Sequence, residues 1–413
     1  MFRRFQGSTQ QLHKGSNMKV FNRLSLNRWL VIGTRCCAAS LAAGIPGLTE
    51  LWKDKGLSKG DFYLLEILFA LALLALEIVT GRVADRIGKV FTMRCGFIAL
   101  TGGALIYSMS SSFGGFLFGE VVLALGIALI SGTEEAMMFQ SCKALGLKDS
   151  FQKVWTIGIG ASFVSAAMFA IVGARLSTVG LSAPYLMCVG FQVLGLLLCF
   201  AMVEPPKQPP EGENGSRDGT LQEAVSAILL SSSLIRWMAI APGFVVALNQ
   251  TFLWMYPEYL AECGIARGDS GLVFAMFNIV AGAVSVTMQE VKDPKKATRI
   301  MFALMLLLVV STLGLITVVG SLAWLLILPQ QVVRSISGAL FGQTINDSIP
   351  DAVRATALSV RNSLHSILHV AVMVPWWLGV DVIGRNGMFS FNLAMLIVGG
   401  VILWVSSPRA LRR

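Results

Sequence analysis

Apolar residues in this chain come in runs of about 18–25, parted by short charged or glycine-rich segments, and that spacing limits the fold more than any other feature. A helix rising about 1.5 Å per residue needs about twenty residues to cross a hydrocarbon core roughly 30 Å thick. Such runs occupy residues 28–48, 61–80, 91–111, 114–137, 153–176, 183–203, 234–257, 269–289, 298–319, 321–345, 354–379 and 387–406. A membrane barrel would show alternation over about ten residues instead. Of the 413 residues, 55% are hydrophobic and 14% charged, with a mean hydropathy of +0.70. A soluble domain carries about a quarter charged residues. The chain is therefore expected to be an all-α integral membrane protein of about twelve transmembrane helices.

An even number of crossings puts both termini on one side, and basic residues say which. About twenty-five Lys and Arg fall with the termini, Arg82, Lys89, Lys143 and Lys295 among them, against about six on the other side. Both termini are thus expected in the cytoplasm, and the protein in the cytoplasmic membrane. Attraction to anionic lipid accounts for the net charge of +10, with no nucleic-acid partner required. The seven cysteines, mostly within spans, read as small buried hydrophobes.

The segment EPPKQPPEGENGSRDGT at 204–220 is the one clearly polar interior stretch, dense in Pro, Gly and charge, and reads as a solvated linker. It divides the chain into a tail (1–27), a six-helix bundle (28–203), a linker with a short amphipathic helix capped by Thr220 (204–233), a second bundle (234–406) and a second tail (407–413). Two equal sets of six spans are the arithmetic of a pseudo-symmetric transporter with its substrate near the midplane between halves.

The densest charge lies between the second and third spans, where GRVADRIGK occupies 81–89. Gly81 permits close backbone approach, Asp85 can face a helix N-terminus, and Arg86 and Lys89 hold the segment at the cytoplasmic surface. This stretch resembles the G-x-[LV]-A-D-R-x-G-[RK] loop of the major facilitator superfamily. Similar likenesses run through FYLLEILFALALLALE (62–77), SGTEEAMMFQSCKALG (131–146) and VRATALS (353–359). They point to bacterial, exporter-like members. The resemblance implies two pseudo-symmetric six-helix bundles and a conformational latch made by Gly81, Asp85, Arg86, Gly88 and Lys89, with Glu77 beside it and Arg354 at the eleventh span. Two departures weaken drug–proton antiport. The fourth span offers Glu120 where many proton-coupled members place an arginine motif, and the fifth lacks the antiporter Gly-Pro motif.

Ionisable groups inside a span cost at least about 2.5–3.5 kcal/mol, so each is a candidate for function. Arg334 lies mid-span with Gln330 one turn before it and Ser337 one turn after, a polar stripe suited to a water-filled cavity and an anionic substrate. A salt bridge to another helix is the competing account. Arg35, two turns into the first span, reads as a second cavity cation or as a side chain snorkelling to the surface. Glu66 and Glu120 read as proton carriers or as paired structural groups. His365 and His369, at i and i+4, share a helix face; they suit proton relay, a divalent metal or plain interhelical hydrogen bonds. Asn249, Gln250, Trp254 and Tyr256 gather at the end of the seventh span beside Pro257, as ligand contacts, an outer gate or an interfacial aromatic belt.

No Walker loop, cofactor motif or catalytic constellation is present, so an enzyme is not expected, and an ion gradient is the expected motor. The expected function is secondary active transport of a small organic solute by a monomer in membrane lipid, with protons as coupling ion. The resemblance favours export, whereas the buried arginines would equally fit uptake of an organic anion; a metal or metal-chelate carrier is the third reading. In a cysteine-accessibility experiment on intact cells, a label at position 85 should be reachable only after the membrane is permeabilised; reaction from outside would overturn the topology.

Overall fold

A computed structural model describes residues 22–147, 150–206, 221–287, 291, 293–337, 340–341, 344–345, 348–349 and 354–412. They are helical nearly throughout, with no strand among the described residues. In chain order the helices are α1 (Asn22–Ala43), α2 (Ile45–Asp54), α3 (Lys59–Ile87), α4 (Lys89–Met109), α5 (Phe113–Ala144), α6 (Phe151–Val179) and α7 (Ala183–Ala201). After the linker come α8 (Leu221–Val225), α9 (Ser233–Gln250), α10 (Tyr256–Glu262), α11 (Arg267–Thr287), α12 (Pro294–Thr317), α13 (Leu328–Ser337), α14 (Arg354–Ser406) and α15 (Arg409–Arg412).

Among the described residues, eight helical segments are long and apolar enough to cross a membrane, or nine when the bent pair α1 and α2 counts as one. One of the eight, Val360–Ser406, holds the eleventh and twelfth expected spans, because the chain turns at Gly384 (φ 66) without leaving helical hydrogen bonding for long. The second expected span is α3, and the tenth is α13 with the 3₁₀ turn Ala323–Ile327 before it. Twelve crossings are compatible with this arrangement.

Several expected boundaries shift, for local reasons. The first span starts by Asn22 and not at 28, and it bends 42° where Gly44 and Pro46 begin α2. Tyr185 occupies the space a Cβ at Gly44 would need. The tenth span is no continuous helix: Pro329 sits in the first turn of α13, where its missing N–H costs nothing, and the preceding residues form a tighter turn. The charged segment at 81–89 is no open loop either. Helix α3 runs through it to Ile87, and Gly88 (φ 105) makes the whole reversal into α4, a conformation other residues rarely adopt. The carboxylate of Glu204, just after α7, then accepts from the backbone N–H groups of Lys89 (2.7 Å) and Val90 (2.9 Å) and caps α4. Thr220 and residues 1–21 and 207–219 lie outside the described residues; α8 follows directly as one α-turn and one π-turn.

Most buried apolar residues fall into one cluster built on α9 to α14 and others built on α1 to α7. Tyr63, Ile67 and Ala170 are the first-half members of the second-half cluster, so the halves meet through α3 and α6. Outward, large apolar side chains such as Leu197, Phe200, Leu306, Val310, Val401 and Trp404 stay exposed, as a hydrocarbon-facing surface requires. Because lipid is as apolar as the helices, close backbone approach does the packing. The tightest cross-half approach is Gly271 of α11, where a Cβ would come 2.5 Å from the Ala170 carbonyl oxygen. Gly271→Ala should therefore force α6 and α11 apart, with a loss of about 1–3 kcal/mol typical of overpacking, read as a lowered thermal midpoint of the detergent-purified protein.

Candidate functional site

Between the halves lies a cavity of about 440 Å³ lined by α1, α4, α5, α6, α11 and α13. Its wall is mostly Ala, Leu, Ile and Phe side chains, and its charged residues are Arg35, Glu134 and Arg334. On the first-half side, Arg35 donates through a terminal nitrogen to the Glu134 carboxylate in a closely held ion pair, both side chains largely buried. The Trp155 ring covers the guanidinium of Arg35 at 4.4 Å. Ser131, Ser162 and Asn278 supply the uncharged polar lining. On the opposite wall stands Arg334, exposed to the cavity, with the Phe163 ring 5.9 Å away and no carboxylate at ion-pair distance among the described residues. A guanidinium at membrane depth is costly without a counter-charge, and electrostatics alone would favour an anion beside it.

The helix that carries Arg334 is held by buried polar groups. Gln330, one turn earlier, donates to Ser311 (3.0 Å) and accepts from the Tyr256 hydroxyl, while its backbone carbonyl accepts from Asn249 (3.1 Å). Gln330, Asn249 and Tyr256, expected from sequence to touch ligand, are thus buried inside the second half and orient α13 instead of lining this cavity. Gln250 is exposed and also outside the lining. Trp254 packs across the halves against Trp52 with ring centroids 6.0 Å apart.

Beyond the cavity, at the end of the helices away from the termini, ionic contacts tie the halves together. Arg267 pairs with Glu50, Lys59 with Glu258 (2.7 Å) and Arg175 with Asp269 (2.6 Å). Asp381, in α14, accepts from the backbone N–H groups of Lys59 (3.1 Å) and Gly60 (2.8 Å), so one half caps the first turn of a helix in the other. Every cross-half ion pair among the described residues lies at this end. A cleft of about 760 Å³ opens onto the same layer.

Glu120 is buried in α5 and accepts from the Tyr107 hydroxyl at 2.5 Å, with Tyr185 stacked on Tyr107 at 5.0 Å. Glu66 of α3 is close enough for its charge to interact with that of Glu120, and neither carboxylate has a basic partner among the described residues. One turn before Glu66, the Tyr63 hydroxyl donates across the halves to the Thr251 carbonyl (3.1 Å) and its ring meets Trp376 at 5.1 Å. The carboxylate pair therefore adjoins the surface on which the halves meet. His365 donates to the Ala239 carbonyl at 2.8 Å and fills the space beside Gly243; His369, one turn on, is buried against the same helix. Both imidazoles tie α14 to α9, and among the described residues no group of three or more His, Cys, Asp or Glu could hold a metal ion. Of the expected latch, Glu77 and Arg86 are exposed, Gly88 makes the turn and Lys89 is buried; the surroundings of Gly81 and of the Asp85 and Arg354 side chains lie outside what the structure describes.

The family model of the Major Facilitator Superfamily matches residues 30–373. The chain belongs to the Major Facilitator Superfamily. Solved structures of superfamily type share its fold across nearly the whole chain. The nucleoside transporter NupG superposes with a TM-score of 0.74 at 11% identity, covering 93% of this chain and 99% of that one. A D-xylose-proton symporter gives 0.70 at 13%, covering 94% and 99%, and the POT family transporter PepTSo gives 0.66 at 11%, covering 92% and 97%. At these identities the likeness is one of fold. No curated protein sequence matches the chain. The superfamily assignment makes the protein a multi-pass membrane carrier of small molecules and not an enzyme, so the cavity between its halves is the place to look for cargo.

Sequence reasoning missed Glu134, Trp155, Phe163 and Asn278. Glu134 had a signal, since it falls inside the fourth expected span, 114–137, where any carboxylate is conspicuous. The cross-half cap gives a direct test of closure. Asp381→Ala should weaken the closed end by about 0.5–2 kcal/mol, as loss of a helix cap does. Spin labels at positions 54 and 261, on opposite sides of the cleft at this end, should then show a larger share of long distances than in wild type.

Proposed function

We propose that this protein takes up a small organic anion together with protons, by alternating access of the Arg334 cavity to the two sides of the membrane. The carrying observation is the exposed, unpaired Arg334 facing a mostly apolar wall. A solute with an anionic group and an apolar body satisfies both parts of that surface. The bundles 28–203 and 234–406 would rock as units, with 204–233 as the cytoplasmic connection. With the termini in the cytoplasm, the ionic layer of Glu50, Lys59, Arg175, Arg267 and Asp381 faces outward, and the described form is closed to the exterior.

Proton coupling is supported by the Glu66–Glu120 pair. Two neighbouring carboxylates with no cation beside them among the described residues make a place to hold and release a proton. Their position beside Tyr63 ties that event to the cross-half surface. Direction follows from electrical work. An anion entering a cell climbs about 2.3 kcal/mol per charge per 100 mV, and a co-transported proton cancels that cost. Export of the same anion would run with the potential and need no such partner. The latch at 81–89 then serves to steady the cytoplasmic ends when the halves close there.

Screening carboxylates by thermal shift on purified protein, followed by uptake into proteoliposomes, tests the reading. Arg334→Ala should weaken binding of the identified anion about tenfold to a hundredfold, the consequence of losing a charged hydrogen bond worth about 1.5–3 kcal/mol. Glu66→Gln and Glu120→Gln should abolish uptake driven by a pH gradient while sparing exchange of labelled for unlabelled solute. Wild-type affinity in Arg334→Ala would overturn the proposal.

A further inference from the structure

The three charges of the cavity do not act alike. Arg35 is committed to the protein: one terminal nitrogen holds Glu134, Trp155 covers its face, and its Nε is buried. Arg334 is committed to nothing ionic among the described residues and stands exposed. Glu134 is itself buried, and Glu135 beside it is exposed but absent from the cavity lining. Apart from the hydroxyls of Ser131 and Ser162 and the Asn278 amide, the remaining wall, including Leu100, Ile127, Ile130 and Phe163, is apolar and carries no second cation.

We propose that Glu134 sets the charge number of the substrate: by occupying Arg35 it leaves a single free cation and restricts the cavity to solutes with one anionic group on an apolar body. The inference rests on the anion reading above and adds the class, amphipathic monoanions. A second anionic group would enter a site whose other guanidinium is already neutralised and would meet the Glu134 carboxylate. Specificity of this kind comes from the repulsive element, not the attractive one. Removing the Glu134 charge frees Arg35 and turns a site for one anionic group into a site for two.

The probes are para-toluate and terephthalate, which share a benzene ring and one carboxylate and differ in a methyl group against a second carboxylate. Equilibrium binding to the purified full-length protein should favour para-toluate by about tenfold or more. Glu134→Gln should erase or reverse that ratio, and Glu134→Asp should keep it. A wild-type protein that binds terephthalate as well as para-toluate, or a Glu134→Gln protein that keeps the wild-type ratio, would overturn the inference. The wild-type ratio decides the matter even if Glu134→Gln does not fold. Arg334→Gln separates this inference from the one beneath it. Loss of both probes supports the anion reading whatever the ratio shows. Unchanged para-toluate binding in that variant, or no binding of either probe to wild type, counts against the anion reading itself.

Discussion

Hydrocarbon offers no hydrogen-bond partner, and each feature of this molecule answers that constraint. The backbone satisfies itself within helices, so the chain becomes a set of long helical crossings. Charged and polar side chains then have few options. They pair with one another, as Arg35 does with Glu134; they bond to carbonyls of neighbouring helices, as His365 and Asn249 do; or they face water between the halves, as Arg334 does. The third option is the informative one, because an unpaired cation persists there only where water or an anion replaces the missing partner.

The same constraint explains how the halves can separate at all. Apolar faces gain little from meeting each other in lipid, so the contact between α6 and α11 depends on small residues such as Gly271 and Ala170 and on ionic contacts at one end. Ion pairs and a borrowed helix cap are short-range and individually modest, hence they can form at one end and break without unfolding either bundle. The buried network of Gln330, Tyr256, Ser311 and Asn249 lies wholly within one half and fixes the helix that carries Arg334 to that half. The carboxylates Glu66 and Glu120 also belong to one half, yet adjoin the surface where Tyr63 reaches the other.

Hydropathy and charge alone determined the class, the crossings and the expected topology, since span length and lysine placement are one-dimensional properties of a chain in a bilayer. Helix interruptions were partly legible: the turn at Gly88 and the start of α13 at Pro329 follow from residues with special backbone behaviour, but their extent depended on the Glu204 cap and on packing. The intramembrane charges were also legible as suspects, by their cost. What each suspect does was decided by tertiary structure. Arg35 and Glu134 are 99 residues apart and become one neutral unit, while Arg334 has no ionic partner among the described residues. Tyr256 and Asn249 turn inward to support Gln330, a choice of helix face that no local pattern encodes. Local sequence sets which groups must be compensated in hydrocarbon; only the packing of distant helices determines what compensates them, and which cation stays without an ionic partner among the described residues.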